Sequence, residues 1–375
     1  MKVLFSATPA YGHILPLVPL ARALRDAGHT AGFLTAAGLS PAIDSEGFDF
    51  LPAGPMPEVL FADVFERTGA NPAANPTPES ITDFFVRSRL QHGAGEALAA
   101  GRTWAPDVII SELDDFIGPL VAAELGIPLG SLTFGPAVPP EFYDPMVEAA
   151  HAHYRELGAT PVAPSWLFDT CPPSLQVDGW IAPGNRWALR PEAHRGARPA
   201  SPAIPAKRRV LVTFGTVFTE PEVLNPVLAE LSTVDAELLV TLGFAAKTED
   251  FPGAGANVAF SPFAPLSELL TGVDAVVTHG GAGTTLGALA HGIPLVVVPQ
   301  GADQFVQADR VSAAGAGISF GPGTATPETI AEAVRTVLAD DAIRGSAKRI
   351  ADDIAALPSP AEVAARLVES VSTKG

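Results

Sequence analysis

Two short segments of this 375-residue chain carry the residue types that chemistry needs. The first is Tyr11-Gly12-His13, and the second covers residues 274–305, reading DAVVTHGGAGTTLGALAHGIPLVVVPQGADQF. A neutral imidazole can accept a proton from a hydroxyl group. A glycine-rich turn before a helix presents backbone N–H groups that bind an anion such as phosphate. The two segments therefore predict a histidine base and a phosphate site.

The phosphate site is predicted from a strand, a turn and a helix in succession. Residues 275–278 are an apolar run typical of a buried strand, and a helix of small residues after the turn ends near Gly292 and Pro294. The positive end of that helix favours a phosphate. Side-chain donors at the turn are His279, Thr284 and Thr285, and a strand at 294–298 leads to Gln300, Asp303 and Gln304. We interpret this region as a site for a nucleoside diphosphate.

His13 lies in the turn between the first predicted strand and the first long helix. A helix N-terminus disfavours the protonated imidazole, so His13 should be neutral and able to act as a base. Glu112, Asp114 and Asp115 follow the apolar strand at 108–111. One of these carboxylates could hydrogen-bond the second ring nitrogen of His13. The alternatives are a histidine that only bonds the turn and acids that only cap the next helix.

Two further segments give weaker signals. Phe214-Gly215-Thr216 follows a predicted strand and would place an N–H group and a hydroxyl against the diphosphate. Phe263-Ala264-Pro265 precedes a helix near residues 266–270, where the aromatic ring could stack on a nucleobase or pack in the core. The GxGxxG fingerprint of nicotinamide enzymes is absent after the first strand. The histidines show no metal-ligand spacing, so we predict neither a metal nor a cofactor.

Composition restricts the partners and the compartment. The formal net charge of −18 argues against nucleic acid and against an anionic membrane surface. Cys171 is the only cysteine, so the chain has no intrachain disulfide and fits a reducing compartment. No apolar run approaches the roughly 18 residues of a membrane span. We expect a cytoplasmic protein that could form a homodimer.

Short apolar runs alternate with amphipathic or alanine-rich stretches, a pattern typical of parallel βαβ units. The predicted strands are residues 3–6, 31–35, 49–51, 108–111, 129–132, 210–214, 237–242, 258–260, 275–278 and 295–298. Helices are predicted over 15–27 and near 359–371. Residues 55–95, rich in proline and phenylalanine, predict a long irregular insertion, and residues 183–205 predict a linker.

The predicted fold class is therefore α/β, with two Rossmann-like, doubly wound parallel-sheet domains that face a central cleft. We assign residues 1–204 to the first domain and residues 205–357 to the second. Residues 358–375 form a C-terminal helix that could pack back on the first domain. In sheets of this kind, ligands bind outside the carboxyl ends of the strands.

These segments resemble the GT-B nucleotide-sugar glycosyltransferases of family GT1, especially the actinobacterial enzymes that glycosylate antibiotics and other natural products. GHILPLVPLARALRDAGH is similar to the opening helix of that family, and HGGAGTTLGALAHGIPLVVVPQGADQF is similar to its donor-binding signature. The resemblance covers nearly the whole chain. It implies that residues 1–204 form an acceptor-binding domain and that residues 205–357 form a nucleotide-sugar donor-binding domain. It implies that His13 is the catalytic base, that Glu112 is the carboxylate orienting it, and that Asp115 is the alternative.

The resemblance also implies a donor site. The residues assigned to the diphosphate are Thr216, His279, Gly281, Gly283 and Thr284, those assigned to the sugar are Asp303 and Gln304, and those lining the base are Phe263 and Ala264. Two positions depart from the family pattern. Leu266 replaces a common Gln, and Gly287 replaces the Glu with which UDP-sugar enzymes often bind both ribose hydroxyls. We read this as a preference for dTDP-sugars, and hence for deoxysugars.

The predicted activity is inverting, metal-independent transfer of a sugar from a nucleoside diphosphate sugar to a hydroxyl of an apolar natural-product aglycone. The aglycone is expected against the first domain, near the insertion at 55–95 and near Phe116, Phe142, Tyr143 and Trp166. The alternatives are a UDP-sugar glucosyltransferase, an epimerase or a cell-wall GlcNAc transferase of the same fold, a non-catalytic auxiliary protein for a partner transferase, and a nicotinamide-dependent oxidoreductase.

Overall fold

The computed structural model describes residues 1–72, 76–196, 207–215, 221–243, 247–262, 264–301 and 303–372. The chain forms two compact units, which are described separately. Unit 1 consists of Met1–Cys171, Asp178–Arg190 and Leu357–Gly375, and unit 2 consists of Pro172–Val177 and Pro191–Ala356. The predicted domain boundary between residues 204 and 205 lies outside the described residues, as do the predicted site residues Thr216 and Phe263.

Unit 1 is built on a parallel sheet of seven strands. The strands are β1 Lys2–Ser6, β2 Thr30–Thr35, β3 Asp49–Pro52, β4 Val108–Glu112, β5 Leu129–Leu132, β6 Trp166–Asp169 and β7 Arg186–Ala188. The helices are α1 Tyr11–Ile14, α2 Val18–Asp26, α3 Pro57–Thr68, α4 Pro78–Thr82, α5 Arg89–Trp104, α6 Ile117–Leu125 and α7 Pro140–Glu156. The strand order is β3-β2-β1-β4-β5-β6-β7.

Unit 2 repeats this plan with six parallel strands. Its strands are β8 Arg209–Thr213, β9 Glu237–Thr241, β10 Val258–Ser261, β11 Ala275–Thr278, β12 Leu295–Val297 and β13 Gly317–Ser319. Its helices are α8 Pro221–Leu231, α9 Leu266–Leu269, α10 Ala282–Ala290, α11 Gln304–Ala313, α12 Pro327–Ala339 and α13 Asp341–Ala355. The strand order is β10-β9-β8-β11-β12-β13, and α14, Pro360–Ser372, follows as part of unit 1.

The two faces of the first sheet are both covered, which explains the nearly continuous apolar strands. Val3 and Phe5 of β1 pack into a core on one face that also contains Val363 and Leu367 of α14. Leu4, between them, packs into a second core on the opposite face. This alternation follows from the two-residue repeat of a strand. The predicted α/β class with two Rossmann-like sheets is therefore confirmed.

The expectation of an irregular insertion at residues 55–95 is wrong. Most of that segment is helical, in α3, in α4, in the π-helical turn Asp83–Ser88 and in the start of α5. Pro57 and Pro78 are the first residues of their helices, where a missing N–H group costs nothing. Thr77 then caps α4 by accepting from the Ser80 N–H group. The prolines therefore begin helices here and do not break them.

None of the helices in the described part of the chain combines the length and the apolar content needed to cross a membrane.

Candidate active site

In each sheet, predicted site residues that the structure describes lie at the point where the strand order reverses. In unit 1 this point is between β1 and β4, with Ser6 opposite Ser111, and in unit 2 it is between β8 and β11, with Thr213 opposite Thr278. Connections leave the two central strands in opposite directions there, which opens a crevice at their carboxyl ends. Both sheets therefore offer a ligand site: in unit 1 it lies near the predicted base, and in unit 2 it lies near the predicted phosphate turn.

His13 and Glu112 form a hydrogen-bonded pair at the crevice of unit 1. Nδ1 of His13 lies 3.0 Å from Oε1 of Glu112. The Glu112 side chain is fully buried, whereas that of His13 is 19% exposed. The carboxylate also accepts from the backbone N–H of Thr8 at 3.0 Å and from that of Asp114 at 2.7 Å. Three donors therefore hold Glu112 in one orientation, and Glu112 in turn orients the imidazole.

These contacts also determine the charge of Glu112. Burial alone raises the pKa of a carboxyl group, but the positive charge of a protonated His13, the hydrogen bond from His13 and the two backbone donors together outweigh it. The pKa of Glu112 is therefore lowered from its ordinary value. An ionised Glu112 stabilises the imidazolium that would form if His13 accepted a proton.

Asp115 has different partners, although it is equally buried. Its carboxylate accepts from the Ser6 hydroxyl and from the Gly118 N–H group, the latter at 3.0 Å. Its second oxygen lies 3.8 Å from Nε of Arg89. Burial and the charge of Glu112 raise the pKa of Asp115. In this structure Glu112, and not Asp115, contacts His13.

Two aromatic rings flank the imidazole. The ring centroid of Phe134, in the loop after β5, lies 5.2 Å from that of His13, and the two rings are T-shaped with an interplanar angle of 74°. Phe85, in the π-helical turn Asp83–Ser88, lies at 5.8 Å. The proton acceptor is therefore bordered by apolar surface. Phe85 lies in the segment 55–95 beside which the aglycone was expected, whereas Phe134 was not among the predicted acceptor residues. Phe116 and Trp166, which were, are buried in the cores of unit 1.

Ligand-type atoms of His13, Glu112 and Asp114 lie within 4.8 Å of one another, a spacing that a metal ion could bridge. The atoms of His13 and Glu112 are already engaged, however. Nδ1 of His13 and both oxygens of Glu112 take part in the hydrogen bonds given above. The arrangement therefore suits proton transfer better than it suits ion binding.

In unit 2, the turn between β11 and α10 is shaped by glycine. Gly280 has a φ of +92°, a conformation that residues with a side chain rarely adopt, and a Cβ there would lie 2.8 Å from Val297. A Cβ at Gly281 would lie 2.7 Å from Nε2 of His279. At Gly283, in the first turn of α10, nothing lies within 4 Å of an added Cβ. Packing within the protein therefore does not require a glycine at position 283. A ligand that approaches the N-terminus of α10 closely would require one.

His279 lies against Gly215, whose φ of +75° ends strand β8 in a left-handed turn. A Cβ on Gly215 would lie 2.8 Å from Cε1 of His279. Burial lowers the pKa of His279 to about 4, and its hydrogen bond with the Thr213 backbone offsets only part of that effect. His279 is therefore a neutral imidazole at physiological pH.

The remaining predicted donor residues that the structure describes are half-buried or buried. Thr284 and Ala264 are half-buried, as is Asp303, which precedes α11. Gln304 is buried, and its side-chain oxygen accepts from the N–H groups of Gln300 at 2.8 Å and Gly301 at 3.2 Å. That oxygen therefore supports the loop after β12.

Several residues at the two crevices have no clear signal in the sequence. The Thr8 N–H group and Phe134 follow apolar strands, so the strand-end rule could have identified them. Arg89 and Phe85 lie in the segment that was predicted to be irregular, where no strand end points to them. Gly215 was predicted only as part of a weak Gly-Thr signal.

Known proteins match the chain over its whole length. Residues 225–370 match a family described as erythromycin biosynthesis protein CIII-like, C-terminal domain. Elloramycin glycosyltransferase ElmGT of Streptomyces olivaceus is 33% identical, with 98% of this chain and 97% of the relative covered. The L-demethylnoviosyl transferase of Streptomyces niveus is 31% identical, with 97% of each covered. The structure of glycosyltransferase SsfS6 of Streptomyces sp. SF2575, complexed with thymidine diphosphate, has a TM-score of 0.82 at 31% identity, with 99% of each chain covered.

The two Rossmann-like sheets and these structural matches define a glycosyltransferase of the GT-B class. Within that class, the chain belongs to the family of antibiotic and natural-product glycosyltransferases.

Proposed function

We propose that this glycosyltransferase moves a deoxysugar from a dTDP-sugar to a hydroxyl group of an apolar natural-product aglycone, with inversion at the anomeric carbon. The observation that carries the proposal is the hydrogen bond of 3.0 Å between His13 and the buried Glu112, at the crevice of the first sheet. A histidine held in this way is suited to general-base catalysis.

His13 is the proposed base. With Nδ1 bound to Glu112, Nε2 is the ring nitrogen assigned to take the acceptor proton. As the proton leaves, the acceptor oxygen forms a bond to the anomeric carbon, and the bond from that carbon to the phosphate oxygen breaks on the opposite face. The electron pair leaves with the nucleoside diphosphate. The resulting imidazolium is stabilised by the ionised Glu112, and Asp115 is a supporting residue one step further away.

The leaving diphosphate is assigned to the turn between β11 and α10. Backbone N–H groups at Gly281 and Gly283 and the positive end of α10 would stabilise its negative charge. His279 is neutral, so it carries no charge that attracts the diphosphate, and its single ring N–H group would have to turn from the Thr213 backbone to donate to a phosphate oxygen. Hydroxyl groups of Thr284 and Thr216 complete the proposed donor set. No step in this scheme requires a metal ion.

The nucleotide preference is argued from Gly287. A Cβ added there would lie 2.8 Å from Cδ2 of Leu266 and 3.3 Å from Cβ of Ala193. The two departures from the family pattern, at Leu266 and Gly287, are therefore one packing feature. Because Leu266 and Ala193 fill this space, a side chain with a carboxylate cannot be added at position 287 without rearrangement. The 2′-hydroxyl of a ribose therefore has no carboxylate partner there, whereas a 2′-deoxyribose needs none. The thymidine diphosphate bound by the related SsfS6 supports the same preference.

The remaining donor contacts follow from position. Asp303 and Gln304 are proposed to bind hydroxyls of the sugar, and Phe263 and Ala264 are proposed to line the base. For Gln304 the side-chain amide would be the contacting group, since its oxygen supports the loop. The aglycone is proposed to pack against Phe85 and Phe134, whose rings border His13.

A titration with nucleotides tests the donor assignment. We expect thymidine diphosphate to bind more tightly than uridine diphosphate in calorimetry, and NAD to give no heat. Equal or tighter binding of uridine diphosphate would refute the dTDP preference and favour a UDP-sugar enzyme. The anomeric coupling constant of the glycoside product, measured by NMR, tests inversion, because a retained configuration would exclude a single displacement.

A further inference from the structure

Arg89, the first residue of α5, is fully buried, although its guanidinium is charged at any pH that the protein meets. Nη1 donates to the Ala53 carbonyl at 3.0 Å and Nη2 to the Ala7 carbonyl at 3.4 Å. Nε lies 3.8 Å from Oδ1 of Asp115. These three partners follow β3, β1 and β4 respectively, so one side chain joins the carboxyl ends of three strands.

The surrounding backbone is shaped for this guanidinium. Gly54 has a φ of +73°, and a Cβ there would lie 2.4 Å from Nη1 of Arg89. A Cβ at Gly93, one helical turn after Arg89, would lie 2.9 Å from the same atom. Removing a charge from water is costly unless the charge is paired and hydrogen-bonded. Glycines at positions 54 and 93 leave room for the buried guanidinium, which indicates that this site specifically requires arginine.

The partners of Arg89 adjoin the groups that hold Glu112. Ala7 precedes Thr8, whose N–H group donates to Oε1 of Glu112. Asp115 follows Asp114, whose N–H group donates to Oε2 of Glu112, and the Asp115 N–H group donates to the Glu112 carbonyl at 3.2 Å. Arg89 thus fixes the two chain segments that supply the backbone donors to the carboxylate that orients His13.

Arg89 also balances charge at this place. Asp115 and Glu112 are both fully buried, and the charge of Glu112 makes ionisation of Asp115 less favourable. The guanidinium favours the ionised form of Asp115. Other charged or titratable groups that act on Arg89 or on its neighbours are Glu96, Asp114, Asp144, Tyr143 and Tyr154.

We propose that Arg89 is a positioning residue for the base: through Ala7 and Asp115 it holds Glu112, and thereby His13, in the orientation needed for proton transfer. This inference rests on the proposed function, because it assumes that His13 is the base. Arg89 itself touches no reacting atom.

The first test compares Arg89 with a second, partly buried arginine of unit 1 by steady-state kinetics with a dTDP-sugar and an accepted aglycone. Arg89→Gln should lower kcat by about 10-fold to 100-fold, part of the 10²–10⁴ that a general base contributes. The donor KM should stay within about twofold, because the donor residues are on unit 2. Arg89→Lys keeps the positive charge but loses the planar set of guanidinium donors, so its kcat should lie between those of the wild type and Arg89→Gln.

The matched control is Arg22→Gln, which removes the partly buried ion pair between Arg22 of α2 and Glu46 of the segment before β3. It should lose thermal stability but keep kcat. If Arg89→Gln lowers kcat no more than Arg22→Gln does, positioning is refuted.

A pH profile separates positioning from a general loss of stability, and it does not require Arg89→Gln alone to fold. In Asp115→Asn the positive charge of Arg89 has no negative partner. This uncompensated positive charge disfavours the protonated, imidazolium form of His13. The low-pH limb of kcat/KM should therefore move to lower pH by about half a unit or more. The double variant Arg89→Gln/Asp115→Asn removes both charges and should return the limb toward its original position.

An unmoved limb in Asp115→Asn, or no return in the double variant, would refute the inference. His13→Ala distinguishes this failure from failure of the proposed function. If His13→Ala abolishes transfer but the low-pH limb of Asp115→Asn does not move, only the role proposed for Arg89 is refuted. If transfer survives His13→Ala, the proposed function itself is wrong.

Discussion

Replacing Glu112 by glutamine removes the negative charge beside His13 while keeping the shape of the side chain. Three donors converge on this carboxylate: Nδ1 of His13, the Thr8 N–H group and the Asp114 N–H group. A glutamine amide has only one acceptor oxygen. If that oxygen faces His13 and Thr8, the new NH₂ group meets the Asp114 N–H group, which is a buried contact between two donors.

The magnitude follows from these contacts. A buried donor left without an acceptor costs about 1–3 kcal/mol of folding free energy. A hydrogen bond to a charged group contributes about 1.5–3 kcal/mol, and its loss in the transition state would lower kcat by roughly 10-fold to 150-fold. Glu112→Gln should therefore reduce both stability and turnover, with the donor KM nearly unchanged.

Asp169→Asn is a matched control for this substitution. Asp169 is also buried at the end of a strand of the same sheet and also accepts from three groups, the Thr133 hydroxyl, the Cys171 N–H and Nε of Arg186. It should lose comparable stability and keep kcat when both variants are assayed well below their melting temperatures. A Glu112→Gln enzyme with unchanged kcat, or an equal loss in Asp169→Asn, would refute the assignment of Glu112.

Three further predictions concern the donor unit and the metal. The pKa of His279 is about 4 in the folded protein and about 6.5 in an unfolded chain, so the unfolded chain takes up a proton more readily. The stability that depends on a neutral His279 is therefore fully present above pH 6.5 and is lost as the pH falls toward 4. Wild type should therefore lose up to about 3 kcal/mol more than His279→Gln between pH 7 and 4, and parallel melting curves would contradict this. Leu266→Ala/Gly287→Glu should shift binding toward uridine diphosphate by about 10-fold, since the added carboxylate can accept from both ribose hydroxyls once Leu266 is cut back; an unchanged ratio would remove Gly287 from the argument. Turnover should survive treatment with EDTA, and loss of activity restored by a divalent cation would overturn the metal-independent scheme.

The sequence predicted the positions of the strands that carry the site, because apolar runs such as 108–111 are buried on both faces of a parallel sheet. It also predicted that His13 and an acid after β4 would lie at one sheet edge. It could not select between Glu112 and Asp115, because that choice depends on which side chain the turn after β4 directs toward His13 and which toward Ser6 and Arg89.

Other parts of the site depend on contacts between distant segments. Arg89 meets Ala7 and Ala53 only in the folded chain, and the prolines at 57 and 78 gave a misleading signal of irregular structure. Aromatic residues posed the same difficulty: composition does not distinguish Phe85, which borders His13, from Trp166, which lies in the core.

The central claim is that His13 is the base of a dTDP-sugar glycosyltransferase. The most direct measurement compares wild type and His13→Ala for transfer from a dTDP-deoxysugar to a panel of flat aromatic and macrolactone aglycones, together with calorimetric binding of thymidine diphosphate. We expect the variant to lose about 10²-fold to 10⁴-fold in kcat while its affinity for thymidine diphosphate stays within about twofold. Unchanged turnover, or a loss of nucleotide affinity that accounts for the lost activity, would contradict the claim.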